Sequence, residues 1–167
     1  MHPTVRKDRP LFKMNTILPI LTAAIVAVLA AAGGWLYYAQ SDGGIWADPS
    51  NPELVLIGQG AYASRCASCH GKNLQGEPNW RQRRPDKTLP APPHDQTGHS
   101  WHHPDKTLFD ITKKGGQHNA PPGFVSRMPA FGTIMSDKEI HAVLAYIKSR
   151  WPAEIRERQA GINVRAR

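Results

Sequence analysis

Five consecutive residues, Cys66, Ala67, Ser68, Cys69 and His70, combine two thiols and an imidazole within one turn of chain. They read as CxxCH, the attachment signature for a c-type haem. Each thiol can add across one vinyl group on adjacent edges of the macrocycle, and two intervening residues let both reach. His70 then sits beneath the iron and ligates it through imidazole. Two other chemistries also use CxxC. A thioredoxin-like redox pair would lie in a βαβ pattern, and none surrounds these residues. A zinc site would need a second pair of ligands, and Cys66 and Cys69 are the only cysteines in the chain. One covalent haem c, with its iron, is the expected cofactor.

The second axial ligand has two methionine candidates in the same part of the chain. Met128 lies in Ser126-Arg127-Met128-Pro129-Ala130-Phe131, on a Pro-flanked loop ahead of the last strong helix pattern. A loop methionine can approach iron from the face opposite His70, whereas Met135, beside a helix start, reads more simply as core. Met128 is the preferred ligand, against a buried gap-filler for Met128 itself, Met135, a histidine, or an open position. Met/His ligation raises the reduction potential. Iron filled on both axial sides has no place for substrate, which points to single-electron transfer rather than catalysis.

Residues 71–103 form a long loop rich in Gly, Pro, Trp and His. Loops of that length in a small domain are usually functional or pack on something. His94, His99, His102 and His103 raise the idea of a second metal such as copper. The blander roles of helix caps, cofactor contacts or solvated side chains weigh more. Trp80 and Trp101 read as lids over a haem edge. Arg81, Arg83 and Arg84 read first as a solvated face, with cofactor carboxylates or a docking partner as alternatives.

Elements able to position these groups follow from local signals. Asn51-Pro52-Glu53 is an N-cap, a Pro and an acid, opening a helix over 52–65 that ends at Cys66. A middle helix runs over about 104–114, from Pro104 to the stop at Gly115-Gly116. Ser136-Asp137-Lys138-Glu139 is a capping box, and the helix it opens ends before Pro152. A short tail helix is expected over 153–160. Residues 51–167 therefore make one small all-α domain, and no internal repeat is present.

Ahead of it, residues 16–39 carry no charge in a strongly apolar run. That length suits a single transmembrane helix, with Trp35, Tyr37 and Tyr38 at the interface. The basic arm at 1–15 places the N-terminus in the cytoplasm and the domain on the periplasmic side of the inner membrane. A cleaved signal peptide, with Ala30-Ala31-Ala32 as its site, is the competing reading. The linker at 40–50 has an r.m.s. reach of about 17–20 Å, which favours delivery to a neighbouring partner. Lys and Arg number 21 against 13 acids. A modest excess of this kind can steer docking onto an acidic protein. No basic run interleaved with aromatics argues for nucleic acid.

Over residues 51–150 the chain resembles the class I cytochrome c family. Gly58-x-x-Ala61-Tyr62-x-x-x-Cys66-x-x-Cys69-His70-Gly71 is similar to its first helix and haem motif, Met128-Pro129-Ala130-Phe131 to its methionine loop, and Ala142–Lys148 to its last helix. The resemblance implies a cytochrome c-like helical fold around one covalent haem, with the first and last helices crossing near Gly58 and Tyr146. It also implies a backbone carbonyl from a Pro-containing loop bonded to the axial histidine; Pro90, Pro92 and Pro93 are all placed to supply it. The expected function is electron transfer by an anchored monohaem cytochrome. Its partners would be a quinol-oxidising complex, a dehydrogenase or a terminal oxidase. A fixed haem subunit of a larger dehydrogenase or oxidase, and a catalytic or sensing protein with a vacant sixth site, are the alternatives.

Overall fold

The computed structural model describes residues 17–40, 47–118 and 120–166. The chain divides into two compact units, Met1–Gly44 and Ile45–Arg167. In the first, the described residues form one helix, α1 (Ile17–Gln40), whose Ile20, Leu21, Ile25, Val26 and Leu29 are exposed. Among the described residues no helix is long and apolar enough to cross a membrane. The expected anchor at 16–39 is thus not established by α1. The basic arm at 1–15 and residues 41–46 of the linker lie outside the described residues.

The second unit is all-helical among its described residues: α2 (Pro52–Arg65), α3 (Ala67–His70), a 3-10 turn (Ser100–His102), α4 (Asp105–Lys114), α5 (Asp137–Ser149) and α6 (Ala153–Arg165). The only extended pairing described is an isolated parallel bridge between Thr88 and Val125.

Helix α2 starts where its cap chemistry puts it. Asn51 Oδ1 accepts the Leu54 N–H at 3.0 Å, with Pro52 in the first turn. Its interior glycines, Gly58 and Gly60, each cost about 0.8–1 kcal/mol relative to alanine. Burial of Leu54 contributes about 1.5–3 kcal/mol, enough to offset them. Gly58 is also required by packing, because a Cβ there would overlap the Ala142 carbonyl oxygen of α5 and lie 3.0 Å from Tyr146 Cβ. The helices meet through this notch. Beside it Tyr62 of α2 joins Ile140, Val143 and Ile147 of α5 in an apolar cluster with Leu74, Phe131, Met135 and Trp151. Helix α5 opens on the expected capping box: Glu139 N–H donates to Ser136 Oγ at 3.3 Å and Ser136 N–H to Glu139 Oε2 at 2.8 Å.

Two boundaries differ from the sequence reading. Pro104 is the N-cap of α4 rather than its first residue, and the Asp105 N–H donates to Asn163 Oδ1 at 2.7 Å. Helix α6 runs to Arg165, past Gly161, because its polar Gln159 and Asn163 face inward. Gln159 is fully buried and donates to Asp105 Oδ1 at 2.7 Å. Asp105 Oδ2 in turn accepts from Lys148 Nζ of α5 at 2.7 Å, with both side chains buried. One polar knot therefore ties α4, α5 and α6 together.

Candidate haem site

Helix α2 ends at Cys66, whose N–H donates to the Tyr62 carbonyl at 2.9 Å. The chain then makes the single turn of α3, with His70 N–H donating back to the Cys66 carbonyl at 3.0 Å. That turn delivers both thiols and the imidazole from one rigid stretch. Cys66 and Cys69 are free thiols. Cys69 is exposed, while Cys66 is half-buried and packs on the apolar cluster. Burial, followed by the neighbouring Cys69, pushes the Cys66 thiol up to about 11. Tyr62 braces the turn from below, its hydroxyl donating to the Gly71 carbonyl at 2.9 Å.

His70 is buried, and its Nδ1 lies 2.8 Å from the Pro92 carbonyl oxygen. A carbonyl can only accept, so Nδ1 carries the proton and Nε2 is left with its lone pair for a metal. Of the three prolines the sequence left open, Pro92 makes the bond. Burial lowers the pKa of His70, and the Pro92 carbonyl works against that. The loop carrying Pro92 is itself pinned. Gly76 N–H donates to the His70 carbonyl at 2.8 Å, Glu77 N–H to the Ala91 carbonyl at 2.9 Å, and Ala91 N–H to Glu77 Oε2 at 2.6 Å.

Beside His70 stands His94, edge-on with ring centroids 4.0 Å apart. Its Nδ1 is buried without a hydrogen-bond partner. Burial, with His70 and His99 as neighbours, drives its pKa well below the usual range and keeps it neutral. Sequence patterning gave no signal for this contact, because His94 belongs to a loop that no periodicity describes.

Met128 is half-buried and packs on the same apolar cluster as Cys66, whereas Met135 is a buried member of that cluster. The methionine loop is fastened at its backbone. Gly116 N–H donates to the Met128 carbonyl at 3.0 Å and Met128 N–H to Ser126 Oγ at 3.1 Å. No side chain fits at Gly116, where a Cβ would overlap Ser126 Oγ.

The remaining candidates are spread over the 71–103 loop. Trp80 stacks on His99 at 5.7 Å and Trp101 on His102 at 3.7 Å, with Trp101 also against the cluster. The Arg81 guanidinium lies over Trp80, and Arg84 pairs with Glu77 at 2.7 Å. Arg83 donates to the Lys87 carbonyl at 2.9 Å. Among the described residues no group of three or more His, Cys, Asp or Glu is arranged to hold a metal ion.

The donor set suits a covalent haem. Two free thiols leave one turn, an imidazole has its Nε2 released by the Pro92 bond, and a thioether lies on the same apolar cluster. The family model for cytochrome c oxidase, cbb3-type, subunit III matches residues 53–147, more than half of the chain. The chain belongs to this family. No curated protein and no solved structure matches the chain. As a cbb3-type subunit III family member it is a class I c-type cytochrome, its cofactor is covalent haem c, and its chemistry is haem-based electron transfer. The cbb3-type match opens with α2 and closes within α5, leaving α1 and α6 outside it.

Proposed function

We propose that this chain is a single-pass, membrane-anchored monohaem cytochrome with His70 and Met128 as axial ligands. It would carry single electrons between respiratory-chain components on the periplasmic side of the inner membrane. The observation that carries this reading is Met128: its side chain packs on the cluster that also takes Cys66, and both its backbone N–H and its carbonyl are hydrogen-bonded. The bound haem supplies the one-electron redox couple. The protein's part is to hold it. His70 is oriented by Pro92, Cys66 and Cys69 provide covalent tethers, and the apolar cluster keeps water from the buried side. Rigid ligands of this kind keep both oxidation states in one geometry. The charge-free stretch at 16–39 and the exposed apolar side chains of α1 support the anchor, since such a surface is poorly suited to water.

An optical redox titration of the full chain, expressed with haem-maturation machinery, tests the reading. Covalent haem, one high-potential transition and a far-red methionine–iron band are expected. Met128→Ala should abolish that band and lower the potential. An unchanged band and potential would remove Met128 from the iron.

A second reading is favoured by the family name, which is that of an oxidase subunit. In it the domain is a fixed haem subunit of a terminal oxidase, with loop 71–103 as its interface. Purification from native membranes in mild detergent separates the two readings, since a shuttling carrier comes away alone and a fixed subunit stays with its oxidase.

A further inference from the structure

Glu77 and Ala91 sit side by side at the root of an excursion that supplies no atom of the His70–Pro92 bond. The excursion reaches across to the methionine loop instead. At its root Glu77 Oε1 accepts from Arg84 at 2.7 Å, while Oε2 accepts from the Ala91 N–H at 2.6 Å. Further out, Arg84 N–H donates to the Thr88 carbonyl at 2.8 Å. Asp86 Oδ1 accepts from both the N–H and the hydroxyl of Thr88, at 3.0 and 2.6 Å. At its tip, Thr88 forms the parallel bridge with Val125, the Arg83 guanidinium lies 6.0 Å from the Phe124 ring, and Asp86 Oδ2 pairs with Arg127. Arg127 is the residue before Met128.

From this continuous path we infer that residues 77–91 form a clasp fastening the methionine loop to the histidine loop, with Asp86 and Arg127 as positioning residues for Met128. The inference rests on the reading of Met128 as an iron ligand. The two axial loops are separated by more than thirty residues of chain, and without the clasp the methionine loop would be held from the α4 side, through Gly116, Gln117 and Ser126 and through the Phe131 and Gly132 N–H groups, which donate to the Thr112 and Lys113 carbonyls at 3.1 and 2.9 Å. The Asp86–Arg127 pair is partly exposed, with side-chain exposures of 39% and 65%. Its effect should therefore be modest and should weaken as salt rises.

Asp86→Asn isolates the ion pair, because the amide oxygen still accepts both Thr88 bonds. In Asp86→Asn and Arg127→Gln the ferrous protein should bind carbon monoxide about two- to fivefold faster, as methionine leaves iron more often. The far-red methionine–iron band should weaken in parallel, and Arg127→Lys should restore most of both signals. A third variant excises residues 78–90 and joins Glu77 to Ala91 through a two-residue turn, which their existing hydrogen bond allows. It should lose more of the band than either point variant while keeping covalent haem and the His70–Pro92 bond. Loss of thermal stability alone, with wild-type band and wild-type carbon monoxide binding in all three variants, would overturn the clasp. Met128→Ala run alongside separates the two claims. If it leaves the band intact, the ligand reading fails; if it abolishes the band while the clasp variants keep theirs, the clasp alone fails.

Discussion

Gly58 meets the Ala142 carbonyl where α2 and α5 cross, and only a hydrogen fits between them. Gly58→Ala should therefore push the helices apart and destabilise the domain by about 1–3 kcal/mol, as overpacking does. Guanidinium denaturation of the holoprotein gives the value; a variant as stable as wild type would mean that the crossing is looser than described. This glycine and CxxCH were legible from the residues and the family resemblance because each lies in a short local pattern. The carbonyl on His70 was narrowed to three prolines and no further, since only the folded path of the loop selects Pro92. The His94 contact was not legible at all. It depends on the 71–103 loop folding back over the His70 imidazole.

Helix positions were readable to within a few residues wherever caps announce them, as at Asn51 and Ser136. Helix α3 and the 3-10 turn at Ser100–His102 carry no such signal, being too short for a period. The end of α6 was misjudged because Gln159 and Asn163 look like surface residues until their partners on α4 are known. Those partners matter energetically. Lys148→Met leaves Asp105 buried without its counter-charge and should cost about 3–5 kcal/mol, more than replacing both residues with apolar ones. Thermal melts of the single and double variants check this, and a cost below about 1 kcal/mol for the single would mean that water reaches the pair. On the outer face of α4, Asp110 lies between Lys106 and Lys114, and hydrogen bonds from the two lysines hold its carboxyl at about 2. A depressed carboxyl stabilises the fold above its unfolded value, roughly 3.9, and loses that contribution as pH falls through the folded value. Asp110→Asn should therefore cost a few tenths of a kcal/mol at pH 7. In paired melts the gap to wild type should close between about pH 4 and pH 2; a gap independent of pH would assign the effect to something other than charge.

The whole molecule divides between a helix with its apolar residues exposed and a domain with its own core. If those roles are separable, a chain beginning at Ile45 should still attach haem, titrate at the full-length potential and stay in solution without detergent. Redox titration and sedimentation measure all three; a shifted potential would show that the first unit acts on the iron site. The half-buried position of Cys66 sets an order of events in how this protein is made. A thiol raised to about 11 is almost wholly protonated at neutral pH, and only the thiolate is a good nucleophile. Once α5 has packed against α2, Cys66 is less accessible and harder to ionise than a free cysteine. Forming the thioether while the residues of α5 are still undocked avoids both obstacles. Any change that hastens the docking of α5 would lower the yield of holoprotein while leaving the finished molecule no less stable.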